Sequence, residues 1–179
     1  MISQVLIPYT KFSFKEHSRL KTSLLDAISR TQSDKVVDQE FTISATDWPT
    51  SEETPRFYLD LFRDNLTPQL TQVVSDMGFS KYEIHGVWFQ QYNQGSSHSW
   101  HNHARCHYSC IYYLELPSNS PRTQFVDTID QQSVFEIDVE EGDILIVPSM
   151  IKHRSPPVID NVRKTVIVFN MSVIHDNGK

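Results

Sequence analysis

The sequence has few of the features that mark secreted or membrane proteins. Two cysteines occur in 179 residues, and Cys106 and Cys110 are too close along one strand for an unstrained disulfide. A role for either as a metal ligand stays open. No apolar run approaches the roughly 20 residues that span a bilayer. Residues 1–4 lack the basic start and long apolar stretch of a secretion signal. A reducing cytoplasm is therefore the expected location, with no membrane partner.

Positive charge is also scarce. The chain has 16 Lys and Arg against 22 Asp and Glu, a net charge of −6, and no basic cluster interrupts it. This balance argues against a nucleic-acid partner. Hydrophobic residues make up 39% of the chain, which is ordinary for a globular protein. With no repeat, linker or low-complexity tract, the length predicts a single domain over residues 1–179.

The first 80 residues are expected to form a helical support region. Apolar residues recur at helical spacing over residues 14–31, after a capping-box pattern that begins at Ser13. Thr54-Pro55 predicts a second helix start, and Thr67-Pro68 predicts a restart before Gly78 ends the helix. A short first strand over residues 2–8 and an edge strand over 39–46 complete this region. Two or three helices should therefore back the rest of the chain.

The second half of the chain, residues 81–174, has the pattern of a β-barrel or sandwich. Runs of strand-forming residues are separated by turn signals at Gly95, residues 117–121, residues 141–143 and Pro156-Pro157. The predicted strands are residues 82–92, 107–116, 123–127, 134–139, 143–148 and 164–174. Many short strands packed on a few helices predict one α+β domain that is mainly β.

Histidines are concentrated in one part of this region. Four of the eight lie between His98 and His107, and His101 and His103 are spaced i, i+2. Side chains two apart on an extended segment share a face, so both imidazoles can converge on one metal ion. His153 follows an apolar strand fifty residues later, and Arg163 comes ten residues after it. Such a set suits a small barrel whose mouth holds one metal and one small anion.

These elements together resemble the 2-oxoglutarate- and iron(II)-dependent oxygenases, in the prolyl-hydroxylase-like branch and close to its small phage and bacterial forms. The resemblance covers roughly residues 84–172 and implies a double-stranded β-helix, the jelly-roll barrel shared with cupins. The matching motifs are Tyr92 with Gly95, His101-Asn-His103, Cys110-Ile-Tyr-Tyr113-Leu, Gly142-Asp143, Pro148-Ser149, His153 and Arg163-Lys-Thr165.

The resemblance implies a role for each matched position. His101 and His153 would bind iron, and Arg163 would pair with the distal carboxylate of 2-oxoglutarate, for which a guanidinium fork is suited. Thr165 would donate to the same carboxylate, and so would Tyr113, which strand parity favours over Tyr112. Tyr92 belongs to the same co-substrate group through its motif. On the preceding strand, one face with Trp88 and Gln90 is expected to line the pocket.

One position departs from the family pattern. The family has two histidines and a carboxylate, but residue 103 is histidine, and no acidic residue lies between Glu83 and Glu115. Either His103 ligates, giving three neutral imidazoles, or a coordination position is left to water or an anion. Because the i, i+2 spacing is kept, we expect ligation. The missing anion makes the site more favourable to Zn(II), Ni(II) or Cu(II).

The expected function is hydroxylation of a C–H bond with Fe(II), O2 and 2-oxoglutarate, which releases succinate and carbon dioxide. The substrate would be a peptide or protein, with prolyl residues as one option, or a small molecule, in a bacterial or phage-infected cytoplasm. A cupin-type metalloenzyme without 2-oxoglutarate is the alternative, with His107 as an additional ligand. A non-enzymatic metal-binding jelly roll is a third hypothesis. His98 is expected to be an exposed loop residue or a substrate contact.

Overall fold

Two antiparallel sheets and two helices make up the part of the chain that the structure, a computed structural model, describes, residues 7–175. The predicted strand over residues 2–8 lies almost wholly outside that range. The helices are α1 (His17–Arg30) and α2 (Leu59–Asp76). The strands are β1 (Thr10–Ser13), β2 (Asp34–Val37), β3 (Thr42–Thr46), β4 (Lys81–Tyr92), β5 (His98–His101), β6 (Tyr108–Glu115), β7 (Gln124–Val126), β8 (Val134–Glu136), β9 (Asp143–Pro148), β10 (His153–Ser155) and β11 (Lys164–Ile174).

The second helix is continuous where the sequence predicted a break at Pro68. A proline in a helix removes one N–H donor and crowds the preceding turn, which favours a new start. In α2 the buried residues Phe62, Leu66, Leu70 and Val74 keep i, i+4 spacing across the proline. This apolar stripe packs on the sheet as one surface, so tertiary packing holds the helix together through Pro68.

The larger sheet has the strand order β1-β9-β6-β11-β4-β3-β2. Strand β11 lies at its centre and pairs with β6 on one side and β4 on the other. The two faces of this sheet belong to different cores. The helices cover one face, which carries Ile167 and Phe169 of β11. The other face carries Val166 and Val168 and looks into the barrel.

The smaller sheet has the order β5-β10-β7-β8. Strands β5 and β10 were not predicted, because their residues are mainly polar and show no apolar alternation. Their antiparallel pairing sets His153 directly opposite His101. The predicted α+β fold, mainly β and of the jelly-roll type, is confirmed. Neither helix in residues 7–175 has the length and apolar character needed to cross a bilayer.

Strand β4 contains a bulge that matters for the pocket. Along its ladder with β11, Phe169 faces Val87 but Asn170 faces His85, so Gly86 is an extra residue. Gly86 has a φ of +73°, a conformation that glycine adopts without the strain a Cβ brings. The bulge shifts the register between the two long strands next to Asn170.

Candidate metal centre and its pocket

Three histidines meet at the mouth of the barrel. His101 ends β5, His103 lies two residues beyond it, and His153 begins β10. Each offers a ligand atom, and these atoms all lie within 4.8 Å of one another. The ring of His153 is 4.4 Å from that of His101 and 5.2 Å from that of His103, between centroids. The spacing could place all three imidazoles around a single cation.

The outer ring nitrogens of this cluster are already engaged. Nδ1 of His101 lies 2.8 Å from the Ser99 carbonyl, and Nδ1 of His153 lies 2.9 Å from the Ile151 carbonyl. A carbonyl oxygen only accepts, so each Nδ1 carries the proton and each Nε2 keeps its lone pair. This is how metal-binding histidines are commonly oriented, with the second nitrogen bound to an acceptor.

Burial keeps these imidazoles neutral. Desolvation, followed by the neighbouring His101, lowers the pKa of His153 to about 3. Burial also lowers the pKa of His101 and, despite a hydrogen bond to Asn170, that of His103. Metal binding requires the neutral ring, so protons do not compete for this cluster near neutral pH. Among the described residues the cluster holds no carboxylate, and the donor set fits a divalent first-row metal through nitrogen alone.

A cavity of about 320 Å³ opens beside the three histidines. Its walls come from both sheets, with alternate residues of β4 and β11 on the floor. These floor residues are Trp88, Gln90, Tyr92, Lys164, Val166, Val168 and Asn170. The predicted lining by Trp88, Gln90 and Tyr92 agrees with this placement. A mainly apolar cleft with a few polar groups is the usual form of a small-molecule site.

One cation is buried in this cavity, and it is Lys164. Its side chain is almost fully buried, and its ammonium donates to the Pro121 carbonyl at 3.0 Å and to Ser155 Oγ at 2.9 Å. The ring of Tyr92 lies beneath it, with the centroid 5.4 Å from Nζ. Both acceptors are neutral oxygens. Burial therefore lowers the pKa of Lys164 to about 7, and the charge of Glu136 offsets this only in part.

Arg163 and Thr165 do not line this cavity, contrary to the sequence-based expectation. Arg163 donates from Nε and a terminal nitrogen to the two carboxylate oxygens of Glu115, at 2.8 and 2.9 Å, and its side chain is 46% exposed. Thr165 is buried and also donates to Glu115. Successive strand residues face opposite sides, so Lys164 facing inward turns both neighbours outward. The expected contacts of Arg163 and Thr165 with a co-substrate disagree with this placement.

Tyr92 and Tyr113, the two tyrosines assigned to the co-substrate, lie on the barrel side of the larger sheet. Tyr92 lines the cavity, and its hydroxyl donates to Gln90 Oε1 at 2.7 Å. Tyr113 is buried in the barrel-side core and donates to Thr123 Oγ1, a cavity residue, at 2.9 Å. Burial raises the pKa of both phenols, so they remain donors. Tyr112 faces the helices instead, so the parity argument placed this pair of tyrosines on the correct faces.

For two further histidines the structure excludes one expected setting each. His98 is not an exposed loop residue, because it is buried, lines the cavity and stacks on His101 with ring centroids 4.0 Å apart. The register shift between β5 and β10 brings these residues, three apart, to one side. His107 accepts a hydrogen bond from the Val173 amide and does not belong to the three-histidine cluster. The additional ligand considered for a cupin is therefore absent from the cluster formed by the described residues.

Sequence comparisons and structure comparisons give different results. The sequence matches no protein-family model, and a search of curated proteins finds no match. The structure has clear neighbours. One is an oxidoreductase of the 2OG-Fe(II) oxygenase family from Burkholderia pseudomallei, with a TM-score of 0.73, 11% identity, and coverage of 94% of this chain and 88% of that one. The fold is that of the 2-oxoglutarate/iron(II) oxygenases.

Two further structural neighbours are a prolyl hydroxylase and a protein solved with a metal and 2-oxoglutarate. A prolyl-4-hydroxylase from Pseudomonas putida aligns with a TM-score of 0.63 and 12% identity, covering 93% of each chain. HygX from Streptomyces hygroscopicus, solved with nickel and 2-oxoglutarate bound, aligns at 0.67 and 11% identity, covering 93% of this chain and 83% of that one. The resemblance that the motifs indicated, to this superfamily and its prolyl-hydroxylase-like branch, is confirmed at the level of the fold.

Proposed function

We propose that the protein is a metal-dependent oxygenase that uses 2-oxoglutarate, acting as one domain through the three-histidine site. The observation that carries the proposal is the pairing of His101, His103 and His153 with the buried Lys164 in one cavity. The first three supply neutral nitrogen ligands, and the fourth supplies a positive charge with no carboxylate among its hydrogen-bond partners. A metal bound by the three histidines and a dicarboxylate paired with Lys164 would complete the site.

The metal would be held by the Nε2 atoms of the three histidines, with their Nδ1 atoms kept as donors to Ser99, Ile151 and Asn170. When bound, iron would supply the activation of dioxygen that couples 2-oxoglutarate decarboxylation, to succinate and carbon dioxide, with hydroxylation of a C–H bond. Without an anionic ligand, the loaded site keeps the full charge of the cation. That excess charge favours an anionic co-substrate.

Lys164 replaces Arg163 in our assignment of the co-substrate anchor. The burial of an ammonium among neutral acceptors is unfavourable, and a carboxylate placed against it would recover charge-assisted hydrogen bonds. Tyr92 and Ser155 hold the ammonium in place from two sides. Tyr113 would act through Thr123, which it fixes by a hydrogen bond at the cavity wall. In this arrangement the anchor and the metal ligands face one volume.

The open side of the cavity would receive the substrate. Trp48 and Arg154 line the cavity, and the guanidinium of Arg154 lies 4.7 Å from the ring centroid of Trp100. Trp48 is exposed and Arg154 is half-buried, and aromatic and guanidinium groups suit a peptide or a polar small molecule equally. The proposed reaction is therefore hydroxylation of such a substrate, with prolyl peptides as the first class to test.

A binding experiment separates the two basic residues. The protein loaded with Ni(II) is titrated with 2-oxoglutarate by calorimetry, for the wild type, Lys164→Met and Arg163→Met. We expect Lys164→Met to lose about 10- to 100-fold in affinity, the range of a charge-assisted hydrogen bond, and Arg163→Met to match the wild type. Succinate release with Fe(II) should follow the same order. Loss of binding in Arg163→Met alone would refute the anchor assignment.

A cupin-like metalloenzyme that does not use 2-oxoglutarate is the second candidate. The all-histidine ligand set favours it, because it lacks the carboxylate that the oxygenase resemblance implies. The same titration decides between the two. Tight Ni(II) binding without any 2-oxoglutarate binding would favour the cupin-like function, whereas binding that depends on Lys164 supports the oxygenase.

A further inference from the structure

His103 stands where the resemblance calls for a carboxylate, and three groups hold it there. Its Nδ1 lies 2.6 Å from Oδ1 of Asn170. One face of its ring stacks on Trp88, with centroids 5.8 Å apart and 19° between the planes. Its backbone N–H donates to the Ser149 carbonyl at 2.9 Å. Of the two ring nitrogens, Nε2 is therefore the one left to bind a metal.

The Asn170 contact differs in origin from those of the other two ligands. His101 and His153 each donate Nδ1–H to the carbonyl two residues earlier in their own segment. His103 has no such local acceptor and uses a side chain 67 residues further along the chain. An amide oxygen only accepts, so it requires the proton on Nδ1 and leaves the lone pair on Nε2.

The fold presents Asn170 to the cavity by the register of its central strand. Asn170 lies on β11 in the same inward-facing row as Val166 and Val168. Next to it the β4 bulge at Gly86 shifts the pairing of the two strands. Asn170 faces inward by the regular alternation of β11, which continues from Val166 and Val168. Its amide therefore reaches Nδ1 of His103 from the larger sheet, whereas His103 follows a strand of the smaller sheet.

We propose that Asn170 is the positioning residue that makes His103 a metal ligand in place of a carboxylate. This inference rests on the metal site of the proposed function. Asn170 acts through the histidine ring and has no contact with the metal in this assignment. As a neutral amide it orients the ring without adding negative charge, so the metal keeps its full charge for an anionic co-substrate. Partners of this kind affect metal affinity by about 10- to 100-fold in known metal sites.

The test measures Co(II) affinity by competition with a chromogenic chelator, together with the visible spectrum of the Co(II)-loaded protein. The variants are Asn170→Leu, which removes the acceptor at similar volume, and Asn170→Asp, which keeps the acceptor and adds charge. Asn102→Asp is the matched control, because it adds the same charge beside the histidines without contacting Nδ1 of His103. Thermal unfolding of the metal-free proteins checks the fold, and Asn170→Ala replaces Asn170→Leu if the larger side chain prevents folding.

We expect Asn170→Leu to bind Co(II) about 10- to 100-fold more weakly than the wild type, with an altered spectrum. Asn170→Asp should bind at least as tightly as the wild type, while Asn102→Asp should not reproduce its effect. In a His103→Ala background the Asn170→Leu change should have no further effect, because the two residues act as one unit.

Two results would count against the inference, and they are distinguishable. Equal Co(II) affinity and equal spectra for the wild type and Asn170→Leu would overturn the role of Asn170 while leaving the metal site in place. A wild-type protein that binds no Co(II) would overturn the proposed function, and the role of Asn170 with it.

Discussion

The two faces of strand β11 are both buried but differ in the residues they carry. Toward the helices, Ile167, Phe169 and Met171 are fully buried and apolar. Toward the barrel, the apolar Val166 and Val168 are flanked by Lys164 at one end and Asn170 at the other. Both faces are buried, but only the barrel face has a lysine and an asparagine beside its apolar residues. The helix face therefore contributes mainly apolar burial to stability, whereas the buried polar groups of the barrel face carry a desolvation cost.

The largest expected effect is on the helix side. Phe169 packs edge-on against Phe62, with ring centroids 6.0 Å apart. Truncation of a buried Phe leaves a cavity and typically lowers the free energy of unfolding by about 3–5 kcal/mol. We therefore expect Phe169→Ala to lose that amount in denaturant-induced unfolding at equal metal concentration. A loss below about 1 kcal/mol would mean that the helix-side core is not the main source of stability.

The second effect belongs to the histidine cluster. A ligand at 100 times its Kd stabilises a folded protein by about 2.7 kcal/mol, so Ni(II) at that excess should raise the melting temperature of the wild type. His153→Ala should abolish the rise. His107→Ala is the control, because His107 is engaged with Val173 away from the cluster, and it should keep the response. An equal response in all three proteins would place the metal elsewhere.

The third effect is the pH dependence that Lys164 creates. Its pKa is lowered from 10.5 to about 7 in the folded protein. Between those values the unfolded chain binds the extra proton, so stability should rise with pH by up to about 1.4 kcal/mol per pH unit. Unfolding of the wild type and Lys164→Met across this range should show the rise in the wild type, relative to the variant. Parallel curves would show that the ammonium is not destabilised by burial.

The smallest effect on stability is expected for Arg163, the residue before Lys164. Arg163 makes a two-pronged ion pair with Glu115, in which the Arg163 side chain is 46% exposed and solvent screens the pair. Ion pairs open to solvent contribute about 0.2–1 kcal/mol. We expect Arg163→Met to cost no more than that in urea-induced unfolding, with the loss reduced further at high salt. A loss of several kcal/mol would assign Arg163 a structural role comparable with that of the helix-side core.

The long strands were all predicted, and so were the short strands β7 and β8, whereas β1, β2, β5 and β10 were not. Strands β4, β6, β9 and β11 bury enough alternating or continuous apolar residues to be visible in the sequence. Strands β5 and β10 contain mainly polar residues and form through sheet pairing, β5 with β10 and β10 with both β5 and β7. The break expected at Pro68 was wrong for a similar reason, since contacts with the sheet outweighed the local preference of proline.

The basic pair Arg163-Lys164 shows the limit of pattern reasoning in the site. The residues are adjacent and both cationic, and a shift of one residue in strand register exchanges their faces. The family motif favoured Arg163, whereas the inward row that continues through Val166, Val168 and Asn170 contains Lys164. The alternation itself is visible in the sequence. Which of the two alternating rows faces the cavity became known only from the pairing of β11 with β4.

The sequence by itself determined the histidine set and the fold class, because the spacing of residues 101 and 103 and the run of strands are local properties. Only the tertiary structure decided which cation faces the cavity and which side chain supports His103. Those answers depend on how β11 pairs with strands that are distant in the chain, which sets the face that looks into the barrel. No local pattern specifies such a register, since it is set by the packing of whole sheets.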